Sequence, residues 1–313
     1  MRVNKMVFIL LAAMVLGFAG SAWPAEKSIG VVLSGNLPRY QEAEKAFVGA
    51  LSRAGFDPSR VSIYVQAPNP DPMSWTNSVR KFVAVDVDVI VAYGAPAALA
   101  ALKETRSIPV VFSYVYDPES CGAKRANSTG VSAKVPMVTL LRTLKSISPF
   151  SRLAVVYNPE ERDSVVQLEE AKRNSTGLGF QVMGVGVRNS GEIKGRVGKA
   201  VGGADSVYIS CSAVVDRGAS SIIGIANKAK VPSITQVSGS AEKGALLALA
   251  PSPAEQGEIA AEMVARILNG ASVSGIPMEG AKKVDLVLNL KAADALGLKV
   301  PFDVLNIATK VIK

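Results

Sequence analysis

The chain repeats itself, and that repeat constrains the fold more than any other feature. The stretch SIGVVLSGNLPRYQEAEKAFVGALSRAGF (Ser28–Phe56) returns in outline as RLAVVYNPEERDSVVQLEEAKRNSTGLGF (Arg152–Phe180). Each copy has a short apolar run with a Val-Val pair, a polar turn, a long segment of helical spacing and a closing Gly-Phe. The offset from Ile29 to Phe56 and from Leu153 to Phe180 is the same, 27 positions. The next units correspond as well: DVIVAYGAP and SIPVVFSY have partners in DSVYISCSA and KVPSITQV. The second unit is longer by about six residues near Ala213–Gly218, where a loop insertion is expected.

Within the first unit, Ile29–Leu33, Val61–Val65, Val87–Ala92 and Pro109–Tyr114 read as strands. Arg39–Arg53, Met73–Val85 and Ala97–Thr105 between them have helical spacing. Such alternation predicts a parallel sheet covered on both faces, so the fold class is α/β with two doubly wound lobes. Hydrophobic residues make up 49% of the chain and aromatics only 6%, a mix suited to buried parallel strands. After the repeat, Leu246–Leu249 precedes a helix over Ala254–Leu268 with Ile259, Met263 and Ile267 on one stripe. Gly270 closes that helix. A strand at Val284–Leu288 and a helix from Leu290, capped by Gly297, finish the chain.

Arg2 and Lys5 precede an apolar stretch from Met6 to Phe18 and then Ala19-Gly20-Ser21-Ala22, the layout of a signal peptide spanning 1–25. The mature protein is therefore expected in the periplasm. Loss of Arg2 and Lys5 takes the formal charge from +9 to +7. The basic residues are scattered and not interleaved with aromatics, so nucleic acid is not an expected partner. Cys121 and Cys211 read as two partly buried thiols that could meet only if the lobes closed. Histidine is absent, which excludes His-based triads and His zinc sites; no cofactor and no metal are expected.

Ligands of open parallel sheets sit beyond the carboxyl ends of the strands. The first unit offers Ser34 and Asn36, then Tyr93, Gly94 and Ala95, then Tyr116 and Asp117. The second offers Tyr157 and Asn158, Ser210 and Ser212, and Gln236 and Ser238. These are mostly neutral hydrogen-bonding groups and tyrosines, suited to recognising a small solute. Glu160-Glu161 and Glu169-Glu170 read as residues of helix starts or solvent faces. Nucleotide-binding glycine motifs and a nucleophile elbow are missing, and Ser240-Ala241-Glu242-Lys243 lacks the companion motifs of an S-x-x-K enzyme.

The stretches QAPNPDP, VRKFVAVDVDVIVAYGAPAALAA, IPVVFSYVYDP, LAVVYNPEERDSVVQLEEAK, IANKAKVPSITQ, KGALLALAPSPAEQGEIAAEMVARILNG and VDLVLNLKAADALGL run in order through the chain. In these it resembles the ABC-transporter substrate-binding proteins of the branch that includes aromatic amino-acid binders. That resemblance implies the type I periplasmic-binding-protein fold, with lobes of 26–133 plus 250–282 and 134–249 plus 283–313 joined by crossover strands. It implies no catalysis, a monomer that closes on a solute, and a membrane permease and an ATPase as partners. A ligand-sensing module for a membrane receptor is the alternative. Family members often carry acidic residues where this chain has Ser210-Cys211-Ser212, Val237-Ser238 and Ser252. The expected ligand is accordingly neutral or anionic, and aromatic or apolar.

Overall fold

The computed structural model describes residues 27–313, so the leader expected over 1–25 lies outside the described residues. The first half builds β1 (Lys27–Leu33), α1 (Pro38–Arg53), β2 (Val61–Gln66), α2 (Pro72–Ala84), β3 (Val89–Tyr93), α3 (Ala95–Glu104), β4 (Val110–Val115), α4 (Pro118–Cys121) and β5 (Ser128–Ser132). The second half begins with α5 (Met137–Ile147), β6 (Arg152–Tyr157), α6 (Arg162–Leu178), β7 (Gln181–Gly186) and α7 (Ser190–Val201). It continues with β8 (Ser206–Ile209), α8 (Ala213–Arg217), α9 (Ala219–Lys228), β9 (Ser233–Thr235) and β10 (Leu247–Pro251). Then follow α10 (Pro253–Leu268), β11 (Glu279–Gly280), β12 (Val284–Asn289), α11 (Leu290–Leu296), α12 (Phe302–Ile307) and β13 (Lys310–Ile312).

The strands form two sheets. One has six strands in the order β11-β5-β4-β3-β1-β2, the other seven in the order β13-β12-β10-β9-β8-β6-β7. Pairings are parallel except β10 with β12. Both sheets are buried on both faces, as parallel sheets must be. Ile29, Val31 and Leu33 pack into one core of the first lobe and Val32 into the other. Leu153 and Val155 likewise oppose Ala154 and Val156 in the second. The repeat is therefore structural: β1–α1 and β6–α6 are its two copies.

Within residues 27–313 the chain crosses between sheets three times: between β5 and α5, between β10 and α10, and between β11 and β12. The buried Glu255 of α10 fastens the third crossing by accepting from Lys282 N (2.9 Å) and Lys283 N (2.8 Å). The extra residues of the second unit are not a loop, as the repeat suggests, but the short helix α8. Ser212 begins it by accepting from Val215 N at 3.2 Å.

Helix α10 lies directly against α1. Gly257 makes this approach possible. A Cβ there would stand 2.8 Å from the Ala43 carbonyl carbon, 2.9 Å from Phe47 N, and closer still to the Ala43 oxygen. Beside it, the fully buried Gln256 accepts from Tyr114 N (3.1 Å) and donates to Ser132 O (3.2 Å). Gln256 thus steadies an irregularity in β4, where the register with β5 shifts and Tyr114 takes φ 58°. Bulges of this kind re-aim a side chain, and here Tyr114 turns toward α1 and its Tyr40.

Candidate functional site

The carboxyl ends of β1, β3 and β4 face those of β6, β8 and β9 across a cleft, and two clasps cross it. The first joins Arg39 of α1 to Asp216 of α8, 4% and 3% exposed respectively. The Arg39 guanidinium lies 4.4 Å from the Tyr40 ring centroid and 5.9 Å from that of Tyr114, and its Nη2 donates to the Tyr40 hydroxyl at 2.9 Å. Lys243 Nζ stands 3.8 Å from Asp216 Oδ1.

The second clasp is the start of α6. Asp163 accepts from Tyr116 N (3.1 and 3.2 Å), from Cys121 Sγ (2.7 Å) and from Ala95 N, all donors of the first lobe. Arg162 Nε donates to Ser120 O at 3.2 Å. Two turns on, the Tyr116 hydroxyl donates to Glu170 at 2.9 Å. Between them Gln167 Oε1 accepts from Tyr208 Oη (2.7 Å) and Cys211 N (3.0 Å). Both thiols are free. Burial pushes the Cys211 thiol up to about 12 against the pull of Arg39, and burial and Asp163 push the Cys121 thiol up, so neither has the lowered pKa of a reactive cysteine.

Glu161 is 2% exposed and is not on a solvent face, as the sequence suggests. It accepts from Ser212 Oγ (2.7 Å), Ala213 N (2.7 Å), Val214 N (3.1 Å) and Asn158 Nδ2 (3.0 Å). It does complement a helix start, but that of α8. Glu170 likewise turns inward.

The residues expected from the strand ends divide into groups. Ser34 is satisfied within its lobe, donating to Tyr93 O (2.8 Å) and accepting from Ala97 N (3.1 Å). Tyr93 is fully buried under α1 with Tyr40 and Phe47. Gly94 admits no side chain: a Cβ would stand 2.7 Å from Ser34 Oγ and closer to the Tyr40 hydroxyl. Ala95 and Tyr116 belong to the Asp163 clasp. Asn36 is exposed and bonded to Gln41. Asp117 caps α4, accepting from Ser120 N (3.0 Å), and pairs with Lys134 (2.7 Å). Tyr157 is half-buried, its ring near Gly184 and Gly186. Asn158 and Ser212 support Glu161. Gln236 Oε1 lies 2.8 Å from Tyr208 Oη, competing with Gln167 for its single proton, and Gln236 Nε2 donates to Val135 O (2.9 Å), while Ser238 bonds the Tyr114 hydroxyl. Ser210 Oγ is buried with no hydrogen-bond partner among the described residues.

Sequence reading missed Arg39, Asp163, Gln167 and Asp216. Arg39 lies four and eight residues before Ala43 and Phe47, on the buried stripe of α1. A charge on such a stripe was the available signal. Three of the cavities border the clasps: one of about 140 Å³ between Gly35–Leu37, Ala67–Pro70 and α8, one of about 240 Å³ lined by Arg39, Glu42, Ser238 and Glu242, and one of about 230 Å³ between α2, α3 and Glu160–Arg162.

Burial pushes the Asp163 carboxyl up to about 6, although the Cys121 and Tyr116 donors pull it down. The folded, clasped protein therefore holds this proton more tightly than the unfolded chain. Its contribution to stability is full below the ordinary carboxylate value of 3.8 and is lost as pH rises through about 6. Acidification from pH 7 to pH 5 is expected to raise the melting temperature of the wild type relative to Asp163→Asn by a few degrees. Calorimetric scans of both proteins check this; parallel pH profiles would refute it.

A family model described as ABC transporter substrate binding protein matches residues 28–312. The chain belongs to the ABC transporter substrate-binding protein family. Among relatives of this substrate-binding protein, a tyrosine-binding protein of Clostridioides difficile is 28% identical over 284 residues, covering 86% of this chain and 81% of its own. A conserved domain protein of Vibrio cholerae superposes with a TM-score of 0.88 at 26% identity, over 91% of this chain and 99% of that one. The ligand-free, open structure of a substrate-binding protein with adhesive properties from Clostridium difficile is 30% identical, over 92% and 99%, with a TM-score of 0.68. The more identical chain superposes less well, in keeping with its open lobes against the clasped ones here. The fold is that of type I periplasmic binding proteins. No helix among the described residues is long and apolar enough to cross a membrane.

Proposed function

We propose that this chain is the periplasmic solute-binding component of an ABC importer. It captures a small solute between its two lobes and delivers it to a membrane permease served by an ATPase. The observation that carries this reading is the double clasp. Both clasps draw their partners from opposite lobes, so they form only when the lobes meet, and a solute touching both lobes favours that state. Tyr40, Tyr114 and Tyr116 supply ring surface with polar tips, which suits a ligand carrying an aromatic ring. The tyrosine-binding relative supports the same class of ring.

A thermal-shift panel of aromatic acids, amino acids, purines and sugars tests the proposal. A solute present at about 100 times its Kd adds about 2.7 kcal/mol of apparent stability, enough for a rise of several degrees. At least one class is expected to do this, with one equivalent bound by calorimetry. Chemical turnover of the bound solute, or no shift with any class, would contradict the reading.

A further inference from the structure

We propose that Arg39 holds the carboxylate of an aromatic monocarboxylate ligand, with Asp216 giving way and passing to Lys243. This rests on the solute-binding reading above and names the ligand class for that cleft.

Three charges meet at the first clasp: two cations, Arg39 and Lys243, share the single carboxylate of Asp216. Arg39 is almost wholly buried, and a buried guanidinium needs an anion. Lys243 is held below its usual value by partial burial and by Arg39 beside it, with Glu242 pulling the other way. Glu242, the neighbouring acid, is bonded to Lys310 at 2.6 Å. Asp216 Oδ1 has no hydrogen-bond partner among the described residues, so this carboxylate has an oxygen free to turn to Lys243.

One further anion would give each cation its own partner. A ligand ammonium would do the reverse, adding a third cation to one carboxylate. The other acids of the cleft offer it little, because Glu161 already accepts four protein donors and Asp163 three groups of the first lobe. The guanidinium fork suits a carboxylate, and the Tyr40 and Tyr114 rings within 6 Å of it would flank a ring attached to that carboxylate. Ser210 Oγ, just beyond the carboxyl end of β8, is also buried without a hydrogen-bond partner among the described residues.

The experiment is titration calorimetry with phenylacetate, indole-3-acetate and 3-(4-hydroxyphenyl)propionate, their primary amides, and L-tyrosine and L-tryptophan. At least one carboxylate is expected to bind wild type more tightly than both its amide and the amino acids. Arg39→Gln should weaken it by about 100-fold, the scale of a charge-assisted pair, and Arg39→Lys by less. Circular dichroism establishes that the variants fold, and the wild-type panel is decisive without them. Tighter binding of the amino acids, equal binding of the amides, or unchanged affinity in folded Arg39→Gln would overturn the assignment. If no carboxylate binds while another solute of the thermal-shift panel does, the assignment falls and the solute-binding reading stands. If nothing of any class binds, both fall.

Discussion

Replacing Gly257 with alanine is expected to cost about 3 kcal/mol or more, at the upper end of what overpacking does. The reason is geometric. The added methyl would meet the backbone of Ala43 and Phe47 in α1, not the end of a flexible side chain. Backbone of a regular helix cannot step aside locally, so α1 and α10 would have to separate. That contact carries Ala43, Phe47, Ala260, Ala261 and Val264 of the first core. It also sets the position of Arg39 and Tyr40 at the cleft, four residues and three residues before Ala43. The variant should therefore melt well below wild type and bind solute poorly where it remains folded. Denaturant titration measures the first effect. An unchanged midpoint would mean that α1 and α10 do not pack as described.

Asp216→Asn should have the second large effect, and on a different equilibrium. Removing one partner of a buried ion pair costs about 3–5 kcal/mol, because the remaining charge stays buried without compensation. Here the cost falls on the clasped state alone. When the lobes part, Arg39 regains water, and each lobe keeps its own sheet and nearly all of its cores, with Ala213 and Val166 the second-lobe residues that reach into the first lobe's clusters. The expected result is a folded protein whose lobes have opened. Hydrogen exchange reads this at the Tyr116 amide, which donates across the cleft to Asp163. Its protection should fall by at least about 100-fold, as a loss of roughly 3 kcal/mol implies. Equal protection in variant and wild type would show that the pair contributes nothing to closure.

The two-lobe plan was legible because its signals are local. Strand and helix periods repeat within about thirty residues, and Gly55-Phe56 and Gly179-Phe180 end both first helices in the same way. Strand parity also tells which face a residue takes. Tyr93 follows Val89 and Val91 at period two, which places it in the core beneath α1 and not in the cleft. The clasps were not legible in the same way. Arg39 and Asp216 are 177 residues apart, and Asp216 sits in the one segment where the repeat breaks. Asp163 looks like an ordinary acid in a first helical turn; only the meeting of the lobes gives it Ala95, Tyr116 and Cys121 as donors. The strand ends themselves carry neutral groups such as Ser210, Ser212 and Ser238. The charge of the cleft enters from helices α1, α6 and α8, which strand-end reasoning does not survey.

We propose that the lobes close through contacts across the cleft and that a bound solute favours closure. Small-angle scattering of wild type and Asp216→Asn, each with and without the strongest solute of the thermal-shift panel, tests it most directly. Wild type is expected to scatter as the clasped structure, the variant to have a larger radius of gyration, and the solute to return the variant to the wild-type curve. Identical scattering by the two proteins, or saturation with solute and no compaction of the variant, would contradict it.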